Sequence, residues 1–414
     1  MKSLGVIVEY NPFHNGHLFH LTESKRKTGA DVVIAVMSGQ FLQRGEPALV
    51  SKWTRTKMAL SNGIDIVVEL PYAFATQKAE VFASGSISIL SGLKCDSVCF
   101  GSEQGNIEDF EQTIRLMDDQ KEKHDLLVQE FIGQGYSFPR ASSLAFLKLT
   151  ENSDQVLDLT KPNNILGYHY VKAIHEQKSS LQPSTIERTG AGYHDPEFND
   201  TPIASATSIR KHLFDHSGNI EKVQRFVPEK TFDLLGHYLH HVGSFHQWED
   251  YFSLLKYRIL CSTPSELAEI YEVEEGLENR LIHTMKESLT FHEFMTKLKT
   301  KRYTWTRLQR MCTHLLTNTK KDVMLNVSSS KRSEYIRLLG MSRRGQHYLK
   351  LIKKEVELPI LSKVSGVKSH MLDMDIRATN TYALKFPEPT RSEWMLQEFS
   401  KPPIRYDEAD GRFL

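Results

Sequence analysis

The length, composition and charge of the chain narrow the classes of protein to which it can belong. Its 414 residues predict two or three domains, and 52 Lys and Arg nearly balance 51 Asp and Glu. This balance argues against a polycation that coats nucleic acid and against an acidic disordered chain. A mean hydropathy of −0.40 argues against a transmembrane span. The four cysteines form no CxxC pair and we expect no secretory signal, so a cytoplasmic location is predicted.

The first third of the chain alternates between predicted strands and helices. The predicted strands are short, nearly continuous apolar runs, typical of strands buried on both faces. They comprise residues 4–9, 31–38, 65–70 and 97–101. The helix-like stretches between them comprise residues 17–28, 50–60 and 79–90. This alternation predicts a doubly wound parallel α/β sheet, with a ligand beyond the carboxyl ends of its strands.

The rest of the chain is predicted to be mainly helical. The next predicted helices comprise residues 109–123, 126–133 and 142–149. A strand at 184–188 then precedes a loop at 189–200 that is rich in Gly, Asp and Asn, and the tail at 386–414 is predicted to be irregular. We therefore predict an α/β domain at residues 1–218 with a helical insertion at about 107–160, and a mainly helical region at residues 219–414.

Residues 291–360, named here the basic segment, carry a large excess of positive charge. They contain 16 Lys and Arg against 5 Asp and Glu, a local net charge of +11. A nearly neutral chain with one strongly basic segment usually presents that segment to a polyanion. Solvated helix faces are the alternative interpretation.

The strongest chemical signal lies where the first predicted strand meets the first helix. His14 and His17 flank Asn15 and Gly16 at this junction. A helix N-terminus supplies free N–H groups and a positive dipole, and two imidazoles three residues apart can point donors at the same phosphates. Such donors stabilise phosphoryl charge without covalent involvement. The alternative is a helix cap with two incidental histidines.

A second candidate phosphate site begins a later helix. The hydroxyls of Ser205 and Thr207 precede Arg210, whose guanidinium can hold the leaving phosphates. The alternative is an ordinary Ser/Thr N-cap followed by a solvent-facing arginine.

These motifs resemble those of a known family. Residues 14–17 are similar to the HxGH signature of the nucleotidyltransferase superfamily, and residues 205–210 are similar to its second signature, with Ala206 in place of the usual hydroxyl residue. Longer stretches closely resemble the bacterial tRNA(Met) cytidine acetate ligase family: residues 8–17, 37–48, 68–71 and 162–167. The resemblance implies a nucleotidyltransferase fold. It also implies formation of acetyl-adenylate from acetate and ATP, then acetylation of N4 of the wobble cytidine in elongator tRNA(Met).

The resemblance also implies particular site residues. His14, His17 and Arg210 are expected to be catalytic, ATP is the expected co-substrate, and Mg²⁺ is expected to accompany it. The implied nucleotide-binding residues are Ile7, Val8, Glu9, Tyr10, Asn11, Pro12, Phe13, Asn15, Gly16, Leu18, Phe19, His20, Gly101, Asn163, Arg188, Ser205 and Thr207. Asn164 stays open as an alternative to Asn163. No general base for the acetyl transfer is predicted.

Basic and aromatic residues alternate closely from Lys301 to Arg310. Such side chains can contact phosphates and stack on unpaired bases, as in an anticodon loop. In the alternative interpretation, Trp305 and Leu308 enter a core and the arginines are solvated. The predicted RNA-binding residues are Arg302, Arg307, Arg310, Arg343 and Arg344.

Residues 39–48, named here the 39–48 loop, follow the second predicted strand. This loop could line the acetate pocket or meet the anticodon, or it could be an exposed loop in which Arg44 pairs with Glu46.

Two other functions are alternatives to the one that the resemblance implies. The chain could be a nucleotidyltransferase acting on a small phosphorylated metabolite, or a non-catalytic RNA-binding protein. We predict no metal site, because no Cys or carboxylate pattern joins the histidines at positions 237, 240, 241 and 246. We predict no membrane and no protein partner.

Overall fold

The computed structural model describes residues 1–150, 156–188, 202–274 and 276–414. The loop predicted at 189–200 lies outside the described residues. The strands are β1 (Ser3–Val8), β2 (Val32–Ser38), β3 (Ile66–Leu70), β4 (Ser97–Ser102), β5 (Gln182–Glu187), β6 (Ile336–Ser342), β7 (Ile360–Leu361), β8 (Ile404–Asp407) and β9 (Arg412–Phe413).

Helices follow most of these strands. The earlier helices are α1 (Asn15–Thr28), α2 (Lys52–Ser61), α3 (Tyr72–Ala75), α4 (Ala79–Gly92), α5 (Ile107–Asp119), α6 (Lys121–Gly133), α7 (Phe138–Thr150), α8 (Pro162–Glu176) and α9 (Ala206–Asp215). The later helices are α10 (Glu229–Val242), α11 (Phe252–Leu260), α12 (Pro264–Ala268), α13 (Leu277–Lys286), α14 (Phe291–Leu298), α15 (Trp305–Leu316), α16 (Lys321–Ser328), α17 (Arg343–Ile352), α18 (His370–Ala383) and α19 (Thr390–Ser400). Short 3₁₀ helices span Ile220–Phe226 and Trp248–Tyr251.

The described strands form one nine-stranded sheet. Its order is β5-β4-β1-β2-β3-β6-β8-β9, with β7 paired to β6. Strands β1 to β5 run parallel to one another, and β6 runs antiparallel to β3. All five predicted strands and the three predicted crossover helices are present, with ends shifted by one or two residues. The prediction of a doubly wound parallel sheet followed by a mainly helical region is confirmed.

Both faces of the parallel sheet are buried, as the continuous apolar runs predict. Along β2, Ile34 and Val36 enter one hydrophobic core, and Val33 and Ala35 enter the other. Side chains of α4 and α8 pack in the first core, whereas side chains of α1 and α2 pack in the second. Because successive side chains of a strand point to opposite faces, a strand covered by helices on both sides must be apolar throughout.

The C-terminal tail is ordered, so the prediction of an irregular segment at 386–414 is wrong. It forms α19, β8 and β9. Its prolines lie at element boundaries, where they interrupt no hydrogen-bond ladder: Pro389 is the N-cap of α19, and Pro402 and Pro403 precede β8. Strand β6 was also missed, because Arg337 breaks its apolar run.

The sheet crosses the predicted boundary at residue 218, because β6 to β9 extend it beside β3. Lys52, which is fully buried, joins the two parts by pairing with Glu69 of β3 at 2.8 Å and with Glu398 of α19 at 2.9 Å. The division into residues 1–218 and 219–414 stays a prediction, and the two parts share one sheet.

The sheet has two distinct edges. At the carboxyl edge, β1 to β5 end and the loops that follow them begin. At the amino edge, β6 ends and α17 begins. Gly345 of α17 packs so closely there that an added Cβ would lie 2.1 Å from the carbonyl oxygen of Asp65, which precedes β3. Residues of α17 therefore lie at the edge opposite the loops that follow the parallel strands.

Candidate active site

The candidate site lies at the switch point of the sheet, beyond the carboxyl ends of β1 and β4. The chain passes from β1 to β2 and β3 on one side, then returns to β4 and β5 on the other. In an open parallel sheet, the crevice where the strand order reverses is where ligands bind. The structure brings most of the predicted nucleotide residues to this crevice.

His14 and His17 stack at the start of α1, with ring centroids 3.7 Å apart. His14 is the N-cap, and its Nδ1 accepts a hydrogen bond from the Gly16 N–H at 3.1 Å. The Nδ1 of His17 accepts from the His14 N–H at 3.3 Å. Because both Nδ1 atoms are acceptors, each neutral ring carries its proton on Nε2. The pair therefore presents two Nε2–H donors with a fixed tautomer.

Both histidines are neutral at neutral pH. Burial, assisted by the positive charges of Arg188 and Arg210, lowers the pKa of His14 to about 3. Burial, followed by His14, Arg188 and His20, lowers the pKa of His17 well below its usual value. Desolvation disfavours the charged imidazolium, so the site offers donors without adding positive charge of its own.

Asn15 and Gly16 have structural roles between the two histidines. The Asn15 amide donates to the carbonyl oxygens of Pro202 and Arg225, each at 2.9 Å, so it joins the first signature to the chain that leads into the second. An added Cβ on Gly16 would lie 2.9 Å from Cε1 of His14. The packing of His14 therefore requires glycine here, for a reason that the sequence did not reveal.

The other residues of the β1–α1 junction support the histidine pair. Tyr10 and Phe13 are buried, and their ring centroids lie 4.9 Å and 5.7 Å from that of His17. Tyr10 has a φ of +49°, which a bulky residue rarely adopts and which is typical of a constrained functional turn. The oxygen Oδ1 of Asn11, which is buried, accepts from the Leu49 N–H at 2.6 Å. Four further predicted residues lie along the same stretch: Ile7 and Val8 in β1, and Leu18 and Phe19 in α1.

The second signature meets the first through Arg210. Its guanidinium donates to the Asn11 carbonyl oxygen at 3.0 Å and to the Glu46 carboxylate at 2.9 Å. Ser205 is the N-cap of α9 and accepts from the Ser208 N–H at 3.1 Å, while Thr207 is exposed. Arg210 thus reaches the β1–α1 junction, whereas the Ser205 hydroxyl serves as a cap, which was the alternative interpretation.

The 39–48 loop is held between the crevice and α15. Glu46 pairs with Arg210 across the site and not with Arg44, its partner in the alternative interpretation of this loop. The carbonyl oxygen of Gly45 accepts from Trp248 Nε1 at 2.9 Å and from Thr313 Oγ1 at 2.8 Å. The loop therefore connects the candidate phosphate residues to the helices of the C-terminal half.

Arg55 is a site residue that sequence reasoning missed. It is fully buried, and its guanidinium donates to the carbonyl oxygens of Glu9, Ser38 and Gly39, which end β1 and β2. It also donates to the Val50 carbonyl oxygen. Burial lowers its pKa to about 10, which leaves it charged. The sequence does not distinguish a buried arginine in a predicted helix from a solvent-facing one.

Gly101, His20 and Arg188 meet on the β4 side of the crevice. An added Cβ on Gly101 would lie 3.3 Å from Cγ of Arg188 and 3.8 Å from Cδ2 of His20. Burial and the charge of Arg188 lower the pKa of His20 to about 4. Arg188 itself is exposed at the end of β5, so its charge faces the crevice from the rim.

The structure separates the two candidate asparagines at the start of α8. Asn164 is buried, and its amide accepts from the Glu103 N–H at 3.0 Å and donates to the Asp158 carbonyl oxygen at 3.2 Å. Asn163 is partly exposed and donates from Nδ2 to Glu103 at 2.7 Å. A ligand can reach Asn163, which favours it over Asn164.

The predicted RNA-binding residues fall into two distant groups. Arg302 and Arg307 flank Tyr303, with guanidinium carbons 5.5 Å and 4.6 Å from the ring centroid. Arg302 is exposed, and Arg307 pairs with Glu274 at 2.6 Å. This group lies at the start of α15, which packs on the 39–48 loop.

The remaining predicted RNA-binding arginines have other surroundings. Arg310 is buried and donates to Glu272 at 2.7 Å and 3.1 Å, which is the structural use of an arginine. Arg343 and Arg344 lie at the amino edge, where their backbone N–H groups donate to the Glu408 carboxylate at 2.9 Å and 3.0 Å. The structure does not bring these two together with the candidate active site.

The basic segment is dispersed over the fold, so its linear charge count overstates any one surface. Its residues belong to α14, α15, α16, β6 and α17. Acidic residues from other parts of the chain pair with several of its cations: Glu80, Glu176, Glu269, Glu272, Glu274, Glu398 and Asp407. Local charge in the sequence and local charge on the surface differ because ion pairs form between distant segments.

Of the histidines at positions 237, 240, 241 and 246, His246 has a packing role. His246 is buried between Tyr238 and Tyr251, whose hydroxyls lie 2.8 Å and 2.6 Å from its ring nitrogens. Within the described ranges, no group of three or more His, Cys, Asp or Glu could hold a metal ion. Among the described residues, no helix has the length and apolarity to cross a membrane.

The fold and the histidine pair at its switch point define a nucleotidyltransferase of the HxGH type. The family model for HIGH Nucleotidyl Transferase matches residues 1–396 of the chain.

Individual relatives identify one family within this class. A tRNA(Met) cytidine acetate ligase from Geobacillus sp. (strain WCH70) is 50% identical over 405 residues, which cover 98% of this chain and 100% of the relative. The protein of that name from Bacillus subtilis (strain 168) is 49% identical over 416 aligned residues, covering 100% of both chains. The crystal structure of Thermotoga maritima TmcAL bound with alpha-thio ATP has a TM-score of 0.89 and 32% identity, covering 98% of this chain and 100% of that one. The chain belongs to the tRNA(Met) cytidine acetate ligase family.

Proposed function

We propose that this chain uses ATP to activate acetate as acetyl-adenylate and then acetylates N4 of the wobble cytidine of elongator tRNA(Met). The names of its relatives support the tRNA(Met) ligase, and the alpha-thio ATP bound to the Thermotoga protein supports the nucleotide. The observation that carries the proposal is the stacked histidine pair at the switch point, with Arg210 bound to the Asn11 carbonyl oxygen of the same junction. No feature of the described residues favours the two alternative functions.

In the first step, an acetate oxygen attacks the α-phosphorus of ATP and pyrophosphate leaves. The Nε2–H groups of His14 and His17 donate to phosphoryl oxygens as these gain charge. Arg210 is bound to Glu46 in the structure, so a phosphate would replace that carboxylate on the guanidinium. Arg188 adds positive charge from the rim. These residues stabilise the leaving group without covalent chemistry.

The nucleoside is proposed to lie on the β4 side of the crevice. Gly101 leaves room beside Arg188 and His20, and Asn163 has an amide that a ligand can reach. The remaining residues implied by the resemblance, from Ile7 to His20, line or support this crevice. Their individual contacts with ATP stay proposals.

Mg²⁺ is proposed to arrive with ATP rather than to occupy a site of its own. The described residues offer no cluster of three or more His, Cys, Asp or Glu, and Mg²⁺ is commonly held by substrate phosphates and water with few protein ligands. The residues present therefore fit a metal carried by the nucleotide, which would neutralise charge on the phosphates.

The tRNA is proposed to approach from the side of the 39–48 loop. Arg302 and Trp305 are exposed beside α15, and Gln309 of α15 donates to the Arg44 carbonyl oxygen at 2.9 Å. This contact links the exposed group to a loop whose Glu46 reaches Arg210. The cytoplasmic location expected from the sequence is part of this proposal.

The test is the reaction itself with the purified chain. With ATP and acetate but no tRNA, pyrophosphate and acetyl-adenylate are expected, and neither should form when acetate is omitted. Addition of tRNA(Met) should produce N4-acetylcytidine, measured by mass spectrometry of the digested tRNA. Pyrophosphate release that requires a phosphorylated metabolite instead of acetate would contradict the proposal.

A further inference from the structure

Glu9 carries a carboxylate at the carboxyl edge of the sheet, directly after β1. It is partly buried, and its Oε1 accepts a hydrogen bond from the Gln43 N–H at 2.7 Å. No described residue hydrogen-bonds to its other oxygen, Oε2. The Gln43 side chain in turn donates to the Gln77 carbonyl oxygen at 2.7 Å. The loops after β1, β2 and β3 therefore hold this carboxylate in place with one oxygen available.

The carboxylate lies next to the groups that would hold the adenylate phosphate. Arg210 donates to the carbonyl oxygen of Asn11, two residues after Glu9, and it pairs with Glu46 of the 39–48 loop. The same loop supplies the Gln43 N–H that holds Glu9, so the guanidinium lies beside the segment that joins Glu9 to His14. In an acetyl-adenylate, a single oxygen separates the acetyl carbon from the phosphorus. A phosphate held by the histidines and Arg210 would thus present the acetyl group close to Glu9.

Other carboxylates on β1 to β4 and the loops that follow them already have partners. Glu46 binds Arg210, and Glu69 binds Lys52. Glu103 accepts from the N–H groups of Asn163 and Asn164 at the start of α8. The histidines are poor bases here, because their Nδ1 atoms are occupied and their pKa values are low. Glu9 is the remaining acceptor of a proton on these segments.

The proposed second step requires such an acceptor. The cytidine N4 amine is a weak nucleophile, and it must lose a proton as its bond to the acetyl carbon forms. A carboxylate is also a side-chain group that commonly accepts a hydrogen bond from N4 of cytosine.

We propose that Glu9 is the general base of acetyl transfer, an assignment that rests on the proposed function. N4 attacks the acetyl carbonyl carbon, and the bond from that carbon to the phosphate oxygen breaks. The electron pair leaves on AMP, and the N4 proton passes to Oε2 of Glu9.

The surroundings of Glu9 suit this role. Burial raises its pKa above the ordinary value of a carboxyl, the Gln43 N–H opposes this, and Glu46 raises it further. The charged and titratable groups that face it are Arg44 and Glu46 from the 39–48 loop, Arg210 from α9, Arg55 from α2 and Tyr170 from α8. Because the deprotonated carboxylate is the active form, transfer should fall as pH drops through this raised pKa.

The experiment supplies acetyl-adenylate and tRNA(Met) directly to the enzyme and measures acetyl transfer in a single turnover. With saturating acetyl-adenylate, Glu9→Gln should slow transfer by roughly 10² to 10⁴-fold. The wild-type rate should fall about tenfold for each pH unit below the pKa of Glu9, whereas the Glu9→Gln rate should not change with pH. Glu9→Asp should recover part of the rate and the pH dependence.

Three outcomes would overturn the assignment in a folded variant. These are transfer by Glu9→Gln at the wild-type rate, a reduced rate with the wild-type pH profile, and a loss explained entirely by weaker tRNA binding in a separate affinity measurement. A wild-type protein that cannot transfer supplied acetyl-adenylate would overturn the proposed function itself, and the assignment with it.

Discussion

Which ring nitrogen of a neutral imidazole can donate to a phosphate depends on which nitrogen already accepts a hydrogen bond. At the start of α1, backbone N–H groups occupy both Nδ1 atoms, so the donors of His14 and His17 must be the Nε2–H groups. Burial keeps both rings uncharged. Two neutral donors can stabilise the charge that develops on the phosphates in the transition state. Because the rings are uncharged, they hold the pyrophosphate product less tightly than two cations would.

We expect His17→Ala to lower acetate-dependent pyrophosphate release by about 10²-fold or more, because one preorganised donor to the phosphates is lost. His17→Asn should retain more activity, since its amide N–H can replace part of the donor. The matched control is His237→Ala, which removes an exposed histidine from α10. Rates of pyrophosphate release by the three variants, each shown to be folded by circular dichroism, provide the measurement. Activity of His17→Ala equal to that of the control would remove His17 from the mechanism.

At the scale of elements, the packing of the 39–48 loop on α15 depends on one glycine, Gly45. Gly45 has a φ of +77°, and an added Cβ would lie 2.6 Å from both the Cα and the N of Arg310. The backbone of α15 thus packs directly on the loop, and no side chain can move aside to relieve the contact. This close approach allows Trp248 and Thr313 to hold the Gly45 carbonyl oxygen.

Gly45→Ala should therefore lower the free energy of unfolding by about 2 to 4 kcal/mol, from backbone strain and from the clash with α15. Gly133→Ala is the control, because Gly133 ends a helix and an added Cβ there meets nothing within 4 Å. This control should be neutral or slightly stabilising. Urea denaturation of both variants measures the difference, and equal stability would show that the loop is not clamped on α15.

At the scale of the whole molecule, charge is distributed by the fold rather than by sequence position. The basic segment passes from the carboxyl side at α15 to the amino edge at α17. Ion pairs with distant acidic residues neutralise part of it, as Arg310 with Glu272 and Arg307 with Glu274 show. Because α15 packs on the 39–48 loop, we expect an RNA at the candidate active site to meet Arg302 and Arg307 before the arginines at the amino edge.

We expect Arg302→Glu with Arg307→Glu to weaken tRNA(Met) binding by about tenfold to a hundredfold and to reduce its salt dependence, because phosphate contacts are lost. Acetate-dependent pyrophosphate release without tRNA should continue. The control variant, Lys350→Glu with Lys353→Glu, changes charge by the same amount at the amino edge and should leave tRNA affinity nearly unaltered. Affinities at two salt concentrations test this, and stronger loss in the control would place the RNA at the opposite edge. Arg343→Ala with Arg344→Ala tests the remaining predicted contacts in the same assay.

The sequence by itself determined the parallel sheet, the position of the crevice and the identity of the histidine pair. These features are local: a strand buried on both faces needs an uninterrupted apolar run, and a helix that follows it must start at the strand's carboxyl end. His14 and His17 lie three residues apart, so their proximity needed no long-range information. The family resemblance then added acetate and tRNA(Met), which no local pattern contains.

Only the tertiary structure decided which residues act across the site. Arg55, Glu46 and the free oxygen of Glu9 acquire their roles from contacts between loops that are distant in sequence. Strand β6 was missed because Arg337 interrupts its apolar run. Its partner Glu398, which makes burial of this arginine possible, lies in α19, far away in the sequence. A buried charge is stable only beside its partner, and the partner of a residue is set by the fold rather than by its neighbours in the chain.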